Sequence, residues 1–93
     1  MILIAHRGNI NGPRPKWEND KSYVIDAVNA GYKCEIDVWY LNNNFYLSHD
    51  YPKHHHLIDL DFLIRPVFYI HCKNIPALQK LIKFNTFFIV MTM

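Results

Sequence analysis

The segment Lys33 to Leu41, KCEIDVWYL, constrains this chain more than any other. Its β-branched and aromatic residues alternate like a strand, which puts Glu35, Asp37 and Trp39 on one face and Cys34, Ile36, Val38 and Tyr40 on the other. A carboxylate inside an apolar strand is expensive unless it is paired or bound to an ion, so the two acids demand a cation. Period two sets them ~7 Å apart, a spacing from which oxygen ligands can converge on one hard ion such as Mg²⁺ or Ca²⁺. An ion pair with the Arg7 guanidinium meets the same demand, and the residues alone leave both solutions open.

Met1 to Ala5 is an apolar run that ends in His6-Arg7-Gly8, the pattern of a buried parallel strand stopped by a glycine turn. Asn9 to Asn19 holds Gly12, Pro13 and Pro15 and reads as a loop. Asp20 or Ser22 caps a helix that runs to about Ala30, with Gly31 as its stop. Asn42-Asn43-Asn44 is a hairpin turn, because asparagine tolerates positive φ, and Phe45 to Leu47 returns antiparallel. Tyr51 to His56 is a polar loop whose three histidines are solvated, and Leu57 to Ile64 fits a strand or a helix equally. Val67 to Cys72 is a second buried strand. Asn74 then caps a helix with Leu78, Leu81 and Ile82 inward, and Thr86 to Val90 opens a further strand. The order predicts one α/β domain, residues 1–93, with a sheet built from parallel crossovers.

Composition narrows the classes. Hydrophobic residues make up 51% and charged residues 19%, which excludes disorder. A net charge of +2, scattered along the chain, argues against nucleic acid as a partner. No apolar run reaches the roughly 18 residues of a membrane span, and no leader pattern opens the chain, so it reads as cytoplasmic. Cys34 and Cys72 alternate out of phase with Glu35 and His71 and are assigned to packing as reduced thiols.

Function in parallel α/β folds collects at the carboxyl ends of strands, where His6-Arg7, Glu35/Asp37, His49-Asp50 and His71/Lys73 all fall. Phosphodiester hydrolysis needs one group to deprotonate the nucleophile and another to protonate the leaving alkoxide. His6 and His49 beside an acidic metal site supply that pair, Arg7 and Lys73 offset charge on the phosphoryl oxygens, and Gly8 lets the backbone approach the substrate.

The ordered set IAHRG (Ile4 to Gly8), WEN (Trp17 to Asn19), EIDV (Glu35 to Val38) and LSHD (Leu47 to Asp50) resembles the glycerophosphodiester phosphodiesterase family over about residues 2–75. The resemblance implies His6 and His49 as the acid/base pair and Glu35 and Asp37 as ligands of a divalent ion, Mg²⁺ or Ca²⁺. It further implies Arg7 on the phosphate, Glu18 as an auxiliary acid, Asp50 orienting His49, and a small-molecule phosphodiester as substrate. His71-Cys72-Lys73 stands where the family carries an E-x-K strand, which makes His71 the third ligand candidate. The fold implied is a partial (β/α)₈ barrel of the phosphodiesterase type that stops in about its fourth parallel strand, since such barrels take about 250 residues. An open edge of that kind would favour self-association, and a truncated, inactive fragment is the alternative. The ending Met91-Thr92-Met93 is consistent with a shifted reading frame near Phe88.

Overall fold

The computed structural model describes residues 3–84 and 89–91. Three stretches run parallel to β2 (Lys33–Leu41): β1 (Ile4–His6) pairs with its first half and β5 (Phe68–Cys72) with its other edge, while β6 (Ile89–Met91) pairs in turn with β5. The second half of β2 turns back through Asn42 (φ 50°) and Asn43 (φ 65°) into antiparallel β3 (Asn44–Leu47), followed by antiparallel β4 (Leu57–Ile58). Two successive positive-φ residues give the primed turn whose twist suits a tight hairpin, and asparagine tolerates both.

The helices are short and individually capped. Asp20 accepts from Ser22 and Tyr23 amides at the start of α1 (Lys21–Asn29), Asp59 accepts from Phe62 N at α2 (Leu60–Leu63), and Asn74 accepts from Ala77 N at α3 (Ile75–Leu81). Each cap satisfies an otherwise orphaned amide and contributes about 1 kcal/mol. Asn74 does more: its side chain also receives Tyr40 N and donates to Tyr40 O, pinning α3 to β2.

Alternation sorts the sheet into two faces. Cys34, Ile36 and Val38 of β2 with Phe68, Ile70 and Cys72 of β5 lie in the core with Val24 and Ala27 of α1 and Ala77 and Leu81 of α3. Each fully buried aliphatic there contributes roughly 1.5–3 kcal/mol of transfer free energy, so Ile36→Ala would cost about 2–5 kcal/mol. The opposite phase places His6, Glu35, Asp37 and His71 together. Strand register makes them cross-strand neighbours, His6 opposite Glu35 and Asp37 opposite His71.

Two expectations are corrected and one open stretch is settled. The partial (β/α)₈ barrel of parallel strands alternating with helices is not formed: the sheet is mixed, because the expected hairpin return β3 is extended by a further antiparallel strand, β4, before the chain reaches β5. The undecided stretch Leu57 to Ile64 is both things in turn, β4 and then α2. Ile82, expected inward, is 58% exposed in a 3₁₀ turn after α3, and Ala77 takes the core position instead. The predicted strand start at Thr86 to Phe88 lies outside the described residues. Among the described residues no helix is long and apolar enough to cross a membrane.

Candidate functional site

The end of β1 is held in a demanding backbone state. Arg7 is left-handed (φ 55°), its amide donates to Glu35 O at 2.7 Å, and its carbonyl accepts from the amide of Asn19, itself left-handed (φ 62°). A non-glycine residue there costs about 1 kcal/mol or more, and such conformations persist where surrounding bonds fix them. Gly8 follows at φ +89°. A Cβ there would lie 2.9 Å from Tyr23 Cδ2 and 3.3 Å from the Val24 backbone, so the close approach of α1 requires this glycine.

Pinned in this way, Arg7 reaches two acids. Its Nη1 donates to Glu18 Oε1 at 3.1 Å, and its Nε lies 2.9 Å from Asp37 Oδ2 as an ion pair, off the angle of a hydrogen bond. Glu18 also accepts from Asn9 Nδ2 and Arg14 N. Burial acts to raise the Glu18 pKa, and the hydrogen bonds from Asn9, Arg7 and Arg14 outweigh it, holding the group below its usual range.

Asp37 is fully buried and fully attended. Asn19 Nδ2 donates to its Oδ2 at 3.0 Å while Asn19 Oδ1 accepts the Asp37 amide at 2.9 Å, and His71 Nδ1 stands 2.9 Å from its Oδ1. In the tautomer that donates from Nδ1 to this carboxylate, a neutral imidazole turns its Nε2 lone pair away from Asp37. That Nε2 is buried with no partner.

Glu35 is attended on one side only. Its Oε2 meets His6 Nε2 at 2.8 Å, whereas its Oε1 is buried without a donor. Burial first, then the nearby Asp37 charge, push its pKa up to about 7, against the lowering influence of Arg7 and Lys73. Two buried carboxylates this close hold either a proton or a cation between them. One ligand atom from each of Glu35, Asp37 and His71 lies within 4.8 Å of the others. Two of the three residues bring a buried, partnerless donor atom, and the mixed oxygen and imidazole set is one that divalent ions accept. The residues present therefore fit a divalent cation.

The remaining candidates spread outward. Lys73 is half-buried, its backbone bonded to Val38 O and its charge favouring ionised Glu35. His6 keeps 61% of its side chain exposed, so a substrate can reach it. His49 stands away from the cluster, its Nδ1 3.1 Å from Asp50 Oδ1, with 47% of His49 and 93% of Asp50 exposed. An open cleft of about 350 Å³ is lined by His49, Asp50, Arg7 and Glu18 among others, so Arg7 is the side chain that joins this cleft to the Asp37 cluster. Cys34 and Cys72 are buried, and burial pushes both thiols up to about 11, which leaves them unreactive. Sequence reasoning missed Asn19 as the residue that clamps Asp37 and Asn9 as a donor to Glu18. The positive-φ preference of asparagine beside Glu18 was the available signal for Asn19.

No protein-family model, curated protein or solved structure matches this chain.

Proposed function

We propose that the chain hydrolyses small glycerophosphodiester-type phosphodiesters with a divalent ion, Mg²⁺ or Ca²⁺, held by Glu35, Asp37 and His71. The observation that carries the reading is the Glu35, Asp37 and His71 group, one ligand atom of each within 4.8 Å of the others, with Glu35 Oε1 and His71 Nε2 buried and partnerless and the exposed His6 on the same sheet face. The motif order HRG, E-N, E-x-D and HD, with its likeness to the glycerophosphodiester phosphodiesterase family, supports the same chemistry.

When bound, the ion would polarise the phosphoryl group and favour ionisation of the attacking hydroxyl. The chain's own residues do the rest. His6, with Glu35 on its Nε2, and His49, with Asp50 on its Nδ1, are the two proton carriers, one for the nucleophile and one for the leaving alkoxide. Arg7 and Lys73 offset charge on the non-bridging oxygens. Asp37 holds Arg7 and His71 in their working orientations as well as facing the ion.

The test is release of glycerol 3-phosphate from glycerophosphodiesters by the purified chain with Mg²⁺ or Ca²⁺. Turnover should vanish on chelation and fall by about 10² or more in His6→Ala and in His49→Ala. Full rates in either variant, or no turnover with either ion, would overturn the reading and leave an internal ion-pair network with no chemistry attached.

A further inference from the structure

The cleft beside Arg7 has a sign. Its full cations are Arg7, Lys16 and Lys53, against the carboxylates of Glu18 and Asp50, which gives +1 with both lining histidines neutral (+3 − 2). The two acids are already engaged, Glu18 by Arg7, Asn9 and the Arg14 amide, and Asp50 by His49. Neither Lys16 nor Lys53 forms an ion pair among the described residues. Burial, then His55 and Lys53, hold His56 below the usual histidine pKa, the direction expected where the surroundings are already positive. A phosphodiester lying against Arg7 thus meets two uncommitted ammonium groups in the cleft beside it.

We infer that the alcohol portion of the substrate carries a second anionic group, a phosphate or carboxylate, seated in the cleft between Lys16 and Lys53. This rests on the phosphodiesterase reading for what happens to the diester, while the cleft itself stands on its own lining. Volume agrees: about 350 Å³ lies at the small end of ligand sites, enough for a polar head group and not for an acyl chain. Chemistry disfavours the common alternative. Quaternary ammonium groups are recognised by several aromatic faces together, and the one aromatic side chain in this lining is Tyr51, 71% exposed.

The experiment compares three probes, glycerophosphoinositol 4-phosphate, glycerophosphoinositol and glycerophosphocholine, in two readouts. One is binding, followed by the imidazole resonances of His49 and His56. The other is turnover with Mg²⁺ or Ca²⁺. The probe with two anionic groups, glycerophosphoinositol 4-phosphate, should bind about tenfold more tightly than the other two at low salt, since each exposed lysine adds a few-fold. The margin should shrink toward 0.5 M salt and narrow to about twofold in the Lys16→Gln/Lys53→Gln double variant, whose circular dichroism should match the wild type. Equal binding of all three probes, or a preference that survives the double variant, would overturn the cleft assignment. Preferential binding without turnover of any probe would uphold the cleft and overturn the hydrolase reading, so the two failures are distinct.

Discussion

Asp37 and Glu35 stand on the same face of β2, yet their surroundings diverge. Around Asp37 the protein supplies Arg7, His71 and both ends of the Asn19 amide, and no buried atom of this carboxylate lacks a partner. Around Glu35 it supplies His6 on one oxygen and nothing on the other. A buried charge that is surrounded by donors serves as a structural joint, while one left half-attended is open to an added cation. The Asp37 side holds the site together, and the Glu35 side is where the proposed ion would act.

The largest effect expected from this contrast is at Asp37. Asp37→Ala removes the buried acceptor shared by Arg7, His71 and Asn19, leaving Arg7 with Glu18 alone, and should destabilise the metal-free protein by about 3 kcal/mol in urea unfolding. A loss below about 1 kcal/mol would break the comparison. Next comes Asn19→Ala, which removes two bonds to Asp37 and should cost about 1–3 kcal/mol. Glu35→Gln should leave stability unchanged or raise it at pH 8, because it removes a poorly accommodated charge.

A pH series sharpens the same contrast. Glu35 in the folded protein holds its proton to about 7, against 4.5 as its ordinary value. Its contribution is therefore fully present below pH 4.5 and is lost as pH rises through about 7. Glu18 and Asp20, both lowered, have the opposite sign: their contributions are present above the ordinary carboxylate range and fade as pH falls. The wild-type curve minus the Glu35→Gln curve should thus isolate a decline between about 4.5 and 7, and parallel curves would contradict the assignment. The smallest effect belongs to Asp50→Ala. That carboxylate is 93% exposed, so turnover should fall only a few-fold and stability should not change measurably.

Much of this was legible in local pattern. Period-two alternation in KCEIDVWYL set Glu35 and Asp37 on the face away from Cys34, Ile36 and Val38, and the Asn42-Asn43 turn and the Asp20 and Asn74 caps follow from side-chain chemistry within a few residues. What local pattern does not carry is partner choice. The antiparallel return of β3 along β2 was expected, the pairing of β4 onto β3 was not, and the expected barrel was drawn from the order of motifs and not from any physical requirement for parallel strands. Gly8 read as an approach point for substrate because its neighbours are chemical, and the close approach of Tyr23 and Val24, brought there by α1, lay beyond local pattern. His71 was assigned to the ion from its place in the chain. Its bond to Asp37, which leaves Nε2 as the available donor atom, needed the β2–β5 register.

The central claim is that the unattended oxygen of Glu35 binds an ion. Calorimetric titration of Mg²⁺ and of Ca²⁺ into the chain at pH 8, wild type beside Glu35→Gln, tests it most directly. The account predicts binding to the wild type that weakens by about tenfold or more in the variant. No heat of binding to the wild type, or equal affinity in Glu35→Gln, would contradict it.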